Sequence, residues 1–319
     1  MEKQIIDKNV VNQKSPVGGL RGLSVWIAAF RLKTLPLAIS NTLVGSALAV
    51  LDGGFRWSVF VLAATTTVLL QILSNMANDY GDYVNGKDTA ERVGPKRMVQ
   101  SGEISAPTML KGMIVVGIMC AITGVSLIWI GTRGINNINI LIFAVLGLAA
   151  IVAAIKYTVG KNPYGYRGLG DLFVFIFFGL VGVLGTYFMH TQSFRWDLLL
   201  PASTIGFLSM GVLNMNNMRD YEADKNAGKR TIVVAMGTRK AAFYHLFLIT
   251  GAVLFAVLFT LMNYHTPWQW LFLLCLPLLL LNLKKVFSYK NGTELYSELP
   301  RVSIATLILS LLFLLGLLI

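Results

Sequence analysis

The chain has 319 residues, 55% of them hydrophobic and only 13% charged, with a mean hydropathy of +0.66. That balance excludes a soluble or disordered chain and fits a polytopic membrane protein. The formal net charge of +12 does not indicate nucleic-acid binding, because the bases are spread over short loops with no basic domain interleaved with aromatics.

Residues 1–22 are polar and mixed in charge, without the apolar core or cleavage site of a signal peptide, so a cytoplasmic tail is expected ahead of an uncleaved first span. A span needs roughly 17–25 mostly apolar residues. Nine stretches qualify: 34–51, 57–79, 109–131, 137–156, 170–190, 198–219, 241–262, 267–283 and 301–319. Of the 27 Lys and Arg, all but Arg56, Arg133 and Arg195 then fall on the side of the N-terminus. The excess of bases in cytoplasmic loops therefore places the N-terminus inside and the C-terminus outside. The expected fold is an all-α integral membrane protein, one domain over 1–319, with nine transmembrane helices.

Span two closes on NMANDYGDYVNGKD, from Asn75 to Asp88. At 3.6 residues per turn Asp79 and Asp82 stand about 60° apart, with Asn75 and Asn78 one turn earlier on the same stripe. Span six closes on NNMRDYEADKNAGKRT, where Asp220 and Asp224 are about 40° apart and Asn216 and Asn217 precede them. Aligning Asp79-Tyr80 with Asp220-Tyr221 sets Asn75 on Asn216, which suggests a duplicated unit with facing halves. Carboxylates at a membrane boundary are costly and usually functional, and four of them meeting there repel unless a cation joins them. Oxygen ligands without His or Cys suit Mg²⁺. The alternative, acids paired with neighbouring bases as solvated helix ends, accounts for one cluster more easily than for two that match.

The loops after these clusters carry glycines and bases. Lys87 and Arg97 in the first, Lys229 and Arg230 in the second, are candidates to neutralise the outer oxygens of a diphosphate; setting topology is the competing role. A third loop, Tyr157 to Asp171, carries glycines and aromatics able to line the same cavity, and Asp171 also suits a helix N-terminus. Cys120 and Cys275 read as lipid-facing or packed thiols. His190 and His265 fall at the opposite face, His245 has no metal-spaced partner, and Trp57, Trp129, Trp196, Trp268 and Trp270 form an interfacial belt.

With these motifs in hand, the chain resembles the UbiA-type intramembrane prenyltransferases. Asn78-Asp79-x-x-Asp82 resembles that family's first acidic motif and Asp220-x-x-x-Asp224 its second, on the second and sixth of nine spans. Arg31-x-Lys33-Thr34-Leu35-Pro36, Gly94-Pro95, Gln100-Ser101-Gly102, Gly168-Leu169-Gly170-Asp171 and Gly228-Lys229-Arg230-Thr231 make it most similar to the branch that prenylates 1,4-dihydroxy-2-naphthoate in menaquinone synthesis. Leu32, where Pro is expected, and Gly160-Lys161-Asn162-Pro163 depart from the pattern near the acceptor pocket.

The resemblance implies nine helices around a central cavity, with cytoplasmic cap loops after helices two and six. It implies two Mg²⁺ ions bridging a polyprenyl diphosphate and held by Asp79, Asp82, Asp88, Asp220 and Asp224 with Asn75, Asn78 and Asn217. Prenyl transfer to 1,4-dihydroxy-2-naphthoate would replace the ring carboxylate, with Arg31, Lys33, Tyr157 and Asp171 near the acceptor and Tyr80, Tyr83 and Tyr221 facing the allylic cation. A different acceptor, such as 4-hydroxybenzoate or homogentisate, would keep this chemistry. An ion-coupled transporter is the alternative from another class, set apart by the depth of the acids: the boundary rather than the midplane.

Overall fold

The computed structural model describes residues 19–87 and 94–319, and Asp88 lies outside them. Among the described residues there is no strand, and nine helices are long and apolar enough to cross a membrane. They run Gly22–Leu51, Trp57–Val84, Ala106–Gly131, Asn137–Lys156, Gly170–Thr191, Trp196–Arg219, Thr238–Met262, Pro267–Ser288 and Gly292–Leu318, here spans one to nine. The expected set is recovered, with longer ends where polar residues continue a helix past its apolar run and, ahead of span one, a helix over Gly19–Phe30 that the expected start at residue 34 left out.

Span one is not a single rod. A helix, Gly19–Phe30, stops at Arg31, whose backbone is left-handed (φ 53°, ψ 62°), and a short turn, Leu32–Thr34, leads into the helix Leu35–Leu51. A left-handed non-glycine residue is strained by roughly 1–3 kcal/mol and persists only where its surroundings hold it. Here Trp26 and Phe30 of the first helix pack into an apolar cluster with Met76, Met98 and Met109. The Asn75 side-chain amide spans the break, donating to the Phe30 carbonyl at 2.8 Å and to Thr34 Oγ1 at 2.9 Å.

Spans one and six are the innermost, with 67% of their most apolar stretch buried inside the protein against 6% for span four. Their polar residues Asn41, Thr42, Thr204 and Ser209 are buried accordingly. Span five packs on spans one and six and carries a π-helical stretch, Phe175–Leu184. It meets span four at its far end through the Phe143–Phe188 ring pair, 4.9 Å between centroids. Spans one to six, with Leu299 of span nine, line a cavity, and spans seven to nine pack behind it through the core built on Phe259, Phe272 and Phe313.

Span six ends differently from the expected straight stripe. The helix stops at Arg219, Asp220 sits at a kink (φ −94°, ψ 12°), and Asp224 lies on a separate short helix, Tyr221–Asn226. The Arg219 carbonyl is turned against the start of span nine, where a side chain at Gly292 would come within 2.2 Å of it. The Asp224 amide still donates to the Asp220 carbonyl at 2.8 Å, so the two acids stay on one side.

Candidate active site at the meeting of two acidic motifs

The cavity is about 330 Å³. At one end it is lined by Arg31, Gln71, Asn75, Asn78, Tyr157 and Asn216, and beyond these its walls are apolar. Along span two it extends from Asn78 to Ala63, a rise of about 22 Å at 1.5 Å per residue. One turn past Asn78 comes Asp82 and one turn past Asn216 comes Asp220, so the acids stand just outside the polar mouth.

The two acidic motifs meet there. The Lys229 ammonium lies 3.2 Å from Asp82 Oδ1 and 3.3 Å from Asp224 Oδ1, joining the halves through one cation. Asp82 is the most heavily engaged: it also pairs with buried Arg97, and the Tyr166 hydroxyl donates to its Oδ1 at 2.6 Å. The Tyr166 ring lies 5.1 Å from the Lys229 ammonium, a cation–π contact. Burial and then the adjacent Asp82 carboxylate hold the Tyr166 hydroxyl far above its ordinary pKa, so it remains a donor. Asp224 is pushed upward, chiefly by burial and secondarily by Asp220, against the opposing pull of Lys229.

Asp79 and Asp220 are positioned by closer neighbours. Asp79 accepts from the backbone amides of Met98 and Val99 at 2.8 and 3.1 Å, tying the first cap loop to span two and setting Arg97 beside Asp82. Asp220 takes two bonds from Arg219, at 2.9 and 2.6 Å, and Arg219 also reaches Asn216 Oδ1 at 2.7 Å. A carboxylate has about four lone-pair positions, and the two amides that reach Asp79 occupy two of them. Asn78 accepts from Thr158 Oγ1 at 3.2 Å, and Asn217 is buried away from the cavity lining while Asn216 forms part of it.

Of the four expected phosphate-binding bases, Arg97 and Lys229 reach the acids. Lys87 instead links the two cap loops, its ammonium donating to the Ala227 carbonyl at 2.5 Å. Arg230 is exposed, while its backbone amide is held by the Tyr166 carbonyl at 2.8 Å. Arg31 lines the cavity mouth, whereas exposed Lys33 lies over the Tyr296 ring at 5.9 Å. Tyr157 lines the cavity, and Asp171 accepts from the Tyr244 hydroxyl at 3.0 Å, one residue past Gly170, which abuts the Tyr157 hydroxyl.

The three tyrosines expected to face an allylic cation are elsewhere. Tyr83 is 48% exposed, Tyr80 packs into the cluster around Met76, and Tyr221 packs near Met218 with Lys225 over its ring. Tyr80 and Tyr83 each directly follow an acid on the same helix and so point about 100° away from it, while Tyr221 opens the short helix beyond the kink at Asp220. The rings that line the mouth are Tyr157, Tyr164 and Phe173, with Tyr164 and Phe173 stacked 4.0 Å apart. Tyr166, Arg219 and Gln71 were not anticipated. The only signal for Tyr166 was its place in the aromatic loop between spans four and five.

The donor set fits a hard divalent cation. It is all oxygen, buried, drawn from both halves, and already converges on one positive charge. Among the described residues no three acidic, His or Cys side chains form a ready cage.

Comparison with known proteins gives the same frame. The UbiA prenyltransferase family matches residues 38–299. The 1,4-dihydroxy-2-naphthoate octaprenyltransferase of Haemophilus influenzae is 43% identical over 314 residues, 98% of this chain and 99% of that protein. The enzyme of the same description from Escherichia coli K12 is 40% identical over 291 residues, 91% of this chain and 94% of the other. Among solved structures, a UbiA homologue from Aeropyrum pernix K1 in its apo form superposes with a TM-score of 0.65 at 17% identity, over 88% of this chain and 99% of that one. A UbiA homologue from Archaeoglobus fulgidus bound to GPP and Mg²⁺ superposes with a TM-score of 0.61 at 14% identity, over 91% and 99% of the two chains. Helix count, paired acidic motifs and matched length converge, and the chain belongs to the UbiA prenyltransferase family.

Proposed function

We propose that this protein transfers a polyprenyl group from polyprenyl diphosphate to 1,4-dihydroxy-2-naphthoate, with loss of CO₂, as the membrane step of menaquinone synthesis. The carrying observation is the meeting of Asp82 and Asp224 on one cation at the polar mouth of a long apolar cavity. The 40–43% identity to 1,4-dihydroxy-2-naphthoate octaprenyltransferases over nearly full length supports the choice of acceptor. The proposed setting is the bacterial cytoplasmic membrane, with the basic loops, the acids and the N-terminus inside and the C-terminus outside.

Asp79, Asp82, Asp220 and Asp224 would hold two Mg²⁺; Asp88, Asn75 and Asn78 complete the proposed set, with Asn216, which lines the mouth, a better-placed amide than Asn217. When bound, Mg²⁺ neutralises the leaving pyrophosphate as a Lewis acid. Arg97 and Lys229 sit where they can follow the diphosphate as charge builds on it, and Lys87 and Arg230 hold or flank the cap loops around it. The allylic C–O bond breaks and leaves a cation in a pocket walled by Tyr157, Tyr164 and Phe173, whose ring faces are attractive to it. Apolar walls and the cap loop tied to Asp79 keep water from quenching it.

Arg31 at the mouth is placed to hold the acceptor carboxylate, with Lys33 and Asp171 flanking that region. Attack by the ring carbon bearing the carboxylate forms the new C–C bond. Loss of CO₂ then leaves its bonding pair on the ring and restores aromaticity, so no side chain has to remove a ring proton. The test is purified protein in nanodiscs with farnesyl diphosphate and either 1,4-dihydroxy-2-naphthoate, 4-hydroxybenzoate or homogentisate, with and without EDTA. A decarboxylated prenyl naphthalenediol that disappears with EDTA and returns with Mg²⁺ supports the reading. Product from another acceptor alone, or metal-independent product, overturns it.

A further inference from the structure

The deep half of the cavity is widened by glycines that helix packing does not require. Gly124 on span three, Gly147 on span four and Gly185 on span five all line it. A Cβ built on each meets only wall atoms at ordinary contact distance: Thr66 at 3.9 Å, Ile128 at 3.9 Å and Phe143 at 3.8 Å respectively. Gly182, on the same wall, contrasts with them, since its Cβ would strike the Asn41 amide at 2.6 Å. None of the three has the positive φ that favours glycine. Glycine inside a helix costs about 1 kcal/mol relative to alanine, so something other than backbone geometry or close packing retains these three.

We propose that Gly124, Gly147 and Gly185 set how much of the donor's isoprenoid tail the protein holds, and so its selectivity for tail length. The inference rests on the prenyl-transfer reading and adds residues that touch neither the diphosphate nor the acceptor. The depth scale comes from the helices. Thr158 bonds Asn78 at the mouth; Gly147 lies eleven residues up the same segment and Phe143, the neighbour of Gly185, fifteen, so the two levels are about 16 Å and 22 Å deep. A five-carbon unit advances four bonds of about 1.5 Å, or about 5 Å when extended. Farnesyl, about 15 Å, therefore ends just short of Gly147, and geranylgeranyl, about 20 Å, passes Gly147 and ends just short of Gly185. Longer tails pass both levels, toward the Phe143–Phe188 pair that joins spans four and five beyond Gly185.

The experiment measures kcat/KM in nanodiscs for geranyl, farnesyl, geranylgeranyl and octaprenyl diphosphates with wild type, Gly147→Leu, Gly185→Leu and Gly147→Ala. The expected result is a drop in the octaprenyl-to-geranyl ratio on the order of tenfold or more for each leucine variant, the size of effect that a few methylenes have in an apolar pocket. The drop sets in at a shorter donor for Gly147→Leu than for Gly185→Leu and is smaller for Gly147→Ala. A uniform loss on all four donors, or an unchanged ratio, overturns the assignment. Monodispersity on size exclusion separates misfolding from selectivity, and a wild type inactive on every donor would count instead against prenyl transfer itself.

Discussion

Asp82→Asn probes the site most sharply, because Asp82 is the carboxylate on which Arg97, Lys229 and Tyr166 all converge. Asparagine keeps the shape and removes the charge, leaving the Arg97 and Lys229 side chains, 5% and 11% exposed, to share the remaining acids. Breaking a buried pair from one side typically costs about 3–5 kcal/mol, because the partner charge stays buried. Removing that charge as well should return much of the loss. The Asp82→Asn/Lys229→Met double variant is therefore expected to be more stable than the sum of the single variants by about 0.5–3 kcal/mol, the range seen for residues in contact. Thermal denaturation in one detergent, followed by intrinsic fluorescence, measures this, and turnover is assayed on the same samples. All three variants should lack prenyl transfer even where stability recovers. Additive stability losses, or wild-type turnover in Asp82→Asn, would refute the reasoning.

Tyr166→Phe removes one hydrogen bond to an ionised acceptor, worth about 1.5–3 kcal/mol, and keeps the ring under Lys229; turnover should fall while the protein still folds. The folded-state pKa of Asp224 lies above its unfolded value, so its ionisation carries a stability cost, absent below the unfolded pKa and in full above the folded one. Mn²⁺ binds the ionised form, so affinity by EPR titration should rise with pH through that window, and Asp224→Asn should flatten the rise. Arg31→Ala should raise KM for the naphthoate far more than for the diphosphate in steady-state assays. Tyr83→Phe, on the exposed face, should leave both constants within about twofold, the scatter of surface substitutions near ±0.5 kcal/mol.

The spans were legible because each is a long apolar run, and the paired acids because they interrupt those runs at matching places. Their convergence followed from the period of the helix: Asn75, Asn78, Asp79 and Asp82 are spaced to share a face. The same period, applied strictly, also removes Tyr80 and Tyr83 from the cavity and favours Asn216, four residues before Asp220, over Asn217. Three features depend on contacts that no local pattern carries. The break at Arg31 is held by Asn75 from another span, and the kink at Asp220 by the approach of Gly292 from span nine. The Tyr166–Asp82 bond joins segments 84 positions apart. The cavity glycines were invisible for a related reason, since a glycine in a membrane helix serves close packing as readily as an open wall.

The central claim is that acids from both halves of the chain hold divalent cations against a diphosphate. A structure of the protein soaked with Mn²⁺ and a non-hydrolysable farnesyl thiolodiphosphate, phased to show anomalous scatterers, tests it directly. Manganese peaks between Asp82 and Asp224, with the diphosphate bridging them and the Lys229 ammonium moved onto its oxygens, are the predicted result. Peaks at any other place, or Lys229 still seated between the two carboxylates with the analogue bound, would contradict it.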